Sequence, residues 1–189
     1  TALFTEGLDT NPFAFDLYTE MAWHATPVNL EHWTDSYALR RYGADDPHAR
    51  RAWQILLKTA YGYRADGNMH HGERDAPQDS LFNAEPSLTA TKAAQPAPDV
   101  LRYNAADLAP ALTELLEVAP ALRASETYRY DLVDVARQVM ANEARVMLPQ
   151  IKTAYDTKDR KAFLQLTAEW MRRMRLQNDL LRTNEYFLL

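Results

Sequence analysis

Residues 29–62 read NLEHWTDSYALRRYGADDPHARRAWQILLKTAYG, and the punctuation of this stretch decides the fold class. Asn29 stands where a side-chain oxygen can accept the unpaired first-turn N–H groups of a helix, so the spacing predicts a helix from Leu30 to Tyr42. Gly43 follows, the residue that takes a left-handed stop without a Cβ clash. Asp46 and Pro47 then repeat the start signal, a cap followed by a proline in the first turn, where a missing N–H costs nothing. The helix they open carries Trp53, Leu56, Leu57, Ala60 and Tyr61 at i, i+3, i+4, i+7 and i+8, hence on one face, and Gly62 closes it.

The same punctuation extends in both directions. Asn11 and Pro12 open a helix running to about His24, which Pro27 ends. Asn104 caps a helix with Leu108, Leu112, Leu115, Leu116 and Ala119 on one stripe, and Asp107 in its first turn suits the helix dipole. Ser125 and Glu126 open a helix to about Tyr155, about 45 Å long, with a bend expected at Pro149. Asp159 starts a last helix with Phe163, Leu166, Thr167, Trp170 and Met174 turned inward. Residues 62–103 differ: they hold three of the five glycines, four prolines and the pair His70–His71, with little periodicity. They are read as an irregular surface excursion with a helical turn near Ser87–Lys92. No stretch alternates apolar and polar residues, so the expected fold is all-α, a bundle of five to six helices with one long irregular excursion at about 62–103.

Composition narrows the function classes. Over 189 residues, 47% hydrophobic and 25% charged, the chain carries four Trp, ten Tyr and six Phe, too many large apolar groups for a disordered tail. A chain of this length is expected to bury about 70% of its unfolded surface in one domain. No run approaches the ~20 apolar residues of a membrane span. The absence of cysteine excludes disulfides, thiolate metal sites and a cysteine nucleophile, and leaves the redox compartment undecided. The net charge of −5 argues against a general nucleic-acid binder, although residues 158–182 hold seven Lys/Arg against three acids. Charges at helical spacing are ordinarily a solvated face. The chain starts at Thr1 with no basic, apolar leader after it, and is expected to be a piece of something longer.

Phosphate loops, zinc helices, nucleophile elbows and calcium loops are all missing from the sequence. Glu20 and His24, four apart on one helix face, could hold a metal or form an oriented base, with a plain surface hydrogen bond as the ordinary reading. His70, His71 and Glu73 lie close in sequence, but neighbours in extended chain point opposite ways and share one ion poorly. Glu6, in Thr5-Glu6-Gly7, has the setting in which barrel enzymes place catalytic carboxylates, a strand end followed by a sharp turn. A carboxylate near a terminus is otherwise simply solvated. Trp23, Trp33 and Trp53 are read as core residues, with sugar stacking as the alternative.

Several stretches in the right order resemble the α-N-acetylglucosaminidases of glycoside hydrolase family 89. They are Glu6-Gly7-Leu8 with Asn11 and Asp16 to Trp23; Trp33 to Gly43, ending Arg40-Arg41-Tyr42-Gly43; Ala52-Trp53-Gln54-Ile55-Leu56-Leu57 through Tyr61; Pro86-Ser87-Leu88; Tyr128-Arg129-Tyr130-Asp131-Leu132-Val133-Asp134-Val135-Ala136-Arg137-Gln138; and Phe187-Leu188-Leu189. The resemblance implies residues 1–11 as the end of a catalytic (β/α)8-type barrel and 12–189 as a C-terminal α-helical domain, incomplete at its far end. It implies a retaining exo-glycosidase acting on terminal α-linked N-acetylglucosamine, with Glu6 as nucleophile and the acid/base carboxylate in the barrel upstream of Thr1. It places a sugar-pocket histidine at His71, with His70 left open, and makes Arg41 a buried ion-pair partner. No metal and no organic cofactor is implied. The implied partners are a glycan ending in N-acetylglucosamine and the remainder of the parent chain, not nucleic acid, and the implied compartment of the parent is secreted, periplasmic or lysosome-like. The residues also admit a free-standing helical interaction module without catalysis, or a nucleic-acid binder using the 158–182 face.

Overall fold

The computed structural model describes residues 11–62, 80–93, 101 and 103–188. They contain six α-helices: α1 (Pro12–Met21), α2 (Leu30–Tyr42), α3 (Pro47–Lys58), α4 (Ala105–Glu117), α5 (Glu126–Asp156) and α6 (Arg160–Leu181). No strand occurs among the described residues, in agreement with the all-α expectation. From α2 onward each helix packs against the next in the chain, and α2 also touches α5. Of residues 1–11, expected to end a barrel, 1–10 lie outside the described residues, and Asn11 caps α1.

The local signals act as the sequence implies. The side chains of Asn11, Asn29, Asp46, Asn104 and Asp159 each accept a first-turn N–H of the helix that follows. Gly43 takes φ +87, which a Cβ would strain, and its N–H closes on Leu39 O at 2.9 Å. Gly62 is required for another reason: a Cβ there would sit 2.5 Å from the carbonyl oxygen of Lys58.

Two helices end early. α1 stops at Met21 because Trp23 and His24 bond back to Glu20 and Met21, three residues away, which tightens the last turn. α3 stops at Lys58 because Thr59 leaves helical geometry (φ −111, ψ −88) while its hydroxyl bonds the Ile55 carbonyl. The stripe of α4 also differs from expectation. Leu108, Ala111, Leu115 and Val118 are fully buried, whereas Leu116, one position round the helix, is 52% exposed.

The 31-residue α5 is the spine and continues through Pro149. Its first half joins a core of Phe13, Trp33, Tyr37, Tyr42, Trp53, Leu56, Leu108 and Leu115, to which it contributes Tyr128 and Val135. Its second half joins another core, where Met140, Ala144 and Leu148 meet Leu81 and Phe82, with Trp170 and Met174 of α6 packed against them. Part of the excursion is therefore an anchor, not a surface loop. Ser80 caps a 3₁₀ turn at Leu81–Asn83 that drives Leu81 and Phe82 inside. In place of the expected helical turn near Ser87–Lys92 there is a single tight turn, because the Ser87 hydroxyl accepts the Thr89 N–H at 3.2 Å and competes with helical bonding.

One ion pair locks α2 to α5. Arg41 reaches Asp131 with Nε at 2.5 Å and Nη2 at 2.7 Å, a two-pronged contact between side chains 13% and 5% exposed. The Tyr42 hydroxyl donates to the same carboxylate at 3.0 Å, and Trp53 Nε1–H donates to Tyr42 Oη at 3.0 Å, so α3 joins the chain. Burial pushes the Asp131 carboxyl up to about 6 against the lowering pull of Arg41 and Tyr42, which leaves it ionised and paired at neutral pH. Thr127 adds a bond from α5 to the Arg41 carbonyl at 2.5 Å. Asp46 is a second tie: one carboxylate oxygen caps α3 and the other accepts Ala119 N–H at 3.0 Å, fixing the end of α4.

Two outcomes follow for stability. Arg41→Met strands a buried carboxylate and is expected to cost about 3–5 kcal/mol in urea unfolding, most of it recovered in the Arg41→Met, Asp131→Leu double variant. Asp46→Ala removes a cap and leaves the Ala119 N–H unpaired, for a loss of about 2–4 kcal/mol. Burial works against the Asp46 charge, but the Ala119, Ala49 and His48 N–H groups together hold the carboxyl below its usual range. A lowered carboxyl stabilises the fold above its unfolded value of about 3.9, and that contribution disappears as the pH falls through the lower folded value. Wild type should therefore lose more stability between pH 5 and about pH 2 than Asp46→Asn does.

Candidate functional site

Glu6, His70 and His71 all lie outside the described residues, but the positions where their segments join the bundle are described. The segment with Glu6 ends at Asn11, and the one with His70 and His71 begins just past Tyr61 and Gly62. These two points are bonded together. The Tyr61 hydroxyl donates to Asn11 Oδ1 at 3.1 Å, the same oxygen that accepts the Ala14 N–H and starts α1.

An aromatic stack holds this corner. Phe13 lies on Tyr61 with ring centres 4.3 Å apart and on Trp53 at 5.4 Å, and meets Trp33 and Tyr37 edge-on at 5.2 and 5.1 Å. Such pairs are worth about 0.5–1.5 kcal/mol each beyond area burial. Burial pushes the Tyr61 phenol well above its ordinary range, so it stays a neutral donor to Asn11. Arg41 lies below, with its guanidinium 5.6 Å from the Tyr37 ring centre. It is the buried ion-pair partner that the resemblance implied, bonded to Asp131.

The other candidates sort differently. Glu20 and His24 are in reach of one another at 3.4 Å, but Glu20 is bonded chiefly elsewhere: it accepts Trp33 Nε1–H at 2.7 Å and faces Arg40 at 3.3 Å. The Trp33 hydrogen bond is the main influence holding the Glu20 carboxyl below its usual value. That is a strut from α1 to α2, with its charge already neutralised. Trp33 and Trp53 are core residues, at 5% and 4% exposure, whereas Trp23 is 89% exposed and departs from the core reading. On the basic face, Arg172 and Arg173 are both drawn to Glu169, and Arg173 also pairs with Glu143 on α5. Among the described residues no group of three or more His, Asp or Glu could hold a metal ion, and no helix is long and apolar enough to cross a membrane.

Two features were not read from the sequence. Asp131 as the partner of Arg41 carried a signal, being an acid on the otherwise apolar line Tyr128, Asp131, Val135 of α5. The bond between Asn11 and Tyr61 carried none, because fifty residues separate them.

Comparison with known proteins places these features in a family. Residues 33–189 match the model of the alpha-N-acetylglucosaminidase (NAGLU) C-terminal domain. The human alpha-N-acetylglucosaminidase is 31% identical over 165 residues, which is 87% of this chain and 20% of that protein. A Clostridium perfringens enzyme with two glutamates replaced by glutamine, solved in complex with its substrate GlcNAc-alpha-1,4-galactose, is 27% identical with a TM-score of 0.84, over 94% of this chain and 19% of that one. The family 89 glycoside hydrolase from the same organism in complex with PUGNAc is 26% identical with a TM-score of 0.86, over 96% of this chain and 20% of that one. The chain thus spans about a fifth of the length of these relatives. With an all-α bundle, a buried Arg41–Asp131 tie between two of the stretches that carry the resemblance, and these matches, the chain belongs to the alpha-N-acetylglucosaminidase C-terminal domain family.

Proposed function

We propose that this chain is the helical part of a retaining exo-glycosidase that removes terminal α-linked N-acetylglucosamine from glycans, with Glu6 as its nucleophile. Residues 1–11 then end the catalytic barrel, 12–189 form the helical domain, and the rest of the barrel is the partner the domain works with. The observation that carries the reading is the corner at Asn11 and Tyr61, where the roots of the two segments bearing Glu6 and His70–His71 are bonded within a family of this name. The relative solved with a GlcNAc-terminated disaccharide, two glutamates changed to glutamine, adds support, since two carboxylates are what this cleavage uses.

The chemistry is a double displacement. Glu6 attacks the anomeric carbon while a second carboxylic acid protonates the departing glycosidic oxygen, and a glycosyl ester forms as the C–O bond breaks. The second group, now a carboxylate, takes a proton from water, whose oxygen attacks the same carbon and frees Glu6. The two carboxyls stand about 5–5.5 Å apart in such enzymes. The acid/base belongs to the barrel, and His71, or His70 beside it, lines the sugar pocket. Neither step calls for a metal or an organic cofactor. Chain 1–189 by itself is inactive, because the acid/base and the barrel walls supply most of the transition-state stabilisation.

The test is turnover of a chromogenic α-N-acetylglucosaminide by the full parent enzyme. Glu6→Gln should lower kcat on the order of a thousandfold or more, as removal of a nucleophile does; unchanged turnover refutes the assignment. Tyr61→Phe keeps the ring and deletes the tether, so kcat should fall about tenfold with little change in KM, the signature of a displaced reacting group.

A further inference from the structure

The ring of His48, the second residue of α3, lies between two groups that ask opposite things of one atom. Its Nδ1 is 2.8 Å from Glu114 Oε2 on α4 and 2.8 Å from Arg51 Nη2, one turn along α3. Arg51 Nε closes the triangle by donating to the same Glu114 oxygen at 3.0 Å. A guanidinium nitrogen only donates, and an ionised carboxylate only accepts. The Arg51 bond, against the opposing effect of burial and with help from His48, holds the Glu114 carboxyl below its usual range. It is therefore ionised wherever histidines ordinarily change charge. An imidazole nitrogen carries either a lone pair or an N–H, so Nδ1 can bond Arg51 or Glu114 but not both.

The surroundings support either state. Asp46, whose carboxylate accepts the His48 N–H, and Glu114 favour an imidazolium, whereas Arg51 and the positive end of the α3 dipole oppose one. Arg50, the other cation of this turn, is turned to Asp45. Among the described residues no charged group of α2, which also packs on α3, bonds to His48. The Arg51 side chain is 51% exposed against 25% for Glu114, so water can take up the guanidinium when the ring lets it go.

We propose that His48 is a proton-operated clasp on the α3–α4 seam: neutral, with its proton on Nε2, it accepts from Arg51 through Nδ1, and protonated it donates from Nδ1 to Glu114 and releases Arg51 Nη2. The proton comes from water, and no covalent bond between residues changes. Glu114 keeps a cationic donor in both states, Arg51 in the first and His48 in the second, so acid hands the tie over instead of breaking it. Histidine ordinarily changes charge between about pH 5 and 8, above the range in which the nearby Asp46 tie to Ala119 is lost. The clasp thereby keeps α3, which carries Trp53 of the aromatic stack, against α4 on both sides of the change. The inference is independent of the role of Glu6.

Neutron diffraction from crystals of the full parent protein, exchanged into heavy water at about pH 8.5 and about pH 5, tests this by locating the deuterons. At the higher pH deuterium is expected on Nε2 alone, with Arg51 Nη2 within hydrogen-bond distance of Nδ1. At the lower pH it is expected on both ring nitrogens, with Nδ1 still on Glu114 and Arg51 Nη2 beyond about 3.5 Å. Deuterium on Nδ1 at the higher pH overturns the clasp, since His48 then serves Glu114 throughout. Arg51 Nη2 remaining on Nδ1 at the lower pH overturns it equally. In solution, the pH midpoint of C2–H exchange at His48, read by mass spectrometry on the same parent, should move down in Glu114→Gln and up in Arg51→Gln, by about half a unit or more in each. A midpoint that stays in place in either variant refutes the shared proton. Neither readout involves turnover, so failure here is distinct from failure of Glu6→Gln to abolish activity.

Discussion

A charged pair with almost no access to water holds the first half of this bundle to its spine. Arg41 and Asp131 stand ninety residues apart in sequence and meet through two hydrogen bonds, with Tyr42 and Trp53 completing the donor chain. Such a pair is a poor source of net stability, because two ions must leave water to form it. It is a strict source of geometry. Hydrophobic contacts tolerate sliding by a fraction of a helical turn, whereas a guanidinium fork on a carboxylate tolerates little. The register of α2 against α5 is thereby fixed, and with it the aromatic stack of Phe13, Tyr37, Trp53 and Tyr61. The corner at Asn11 and Tyr61 sits on that stack.

The bundle therefore has two cores with different tasks. The first, around Leu108, Leu115 and the aromatic cluster, supports the corner. The second, around Met140, Ala144 and Leu148, holds the hairpin of α5 and α6 and the segment at Leu81–Phe82. Leu81 and Phe82 belong to the second core, whereas Tyr61, at the close of the α3 segment, packs against the first.

Much of the fold was legible in the chain itself. Each cap at Asn11, Asn29, Asp46, Asn104 and Asp159 worked as read, because a cap bond is made within three residues and needs no tertiary partner. The helical stripes were legible less completely. Leu116 fits the period of α4 almost as well as Leu115 does, and only the position of the neighbouring helices settles which one is buried. Trp23 shows the same limit from the other side: its residue type says core, and its place on an uncovered connection says otherwise. Of the candidate site, the ion-pair role of Arg41 was legible by resemblance, but not its partner.

By itself, the sequence determined where helices begin and stop, that no strand pattern competes with them, and which family's order of short stretches it follows. These are local or nearly local properties, set by cap chemistry, glycine geometry and the 3.6-residue period. Only the tertiary structure decided that Arg41 finds Asp131, that Tyr61 reaches Asn11, that Glu20 serves Trp33 more than His24, and that Leu81 and Phe82 turn inward. Those pairings join residues thirteen to ninety positions apart, and nothing in a linear chain favours one distant partner over another until packing has brought the two surfaces into contact.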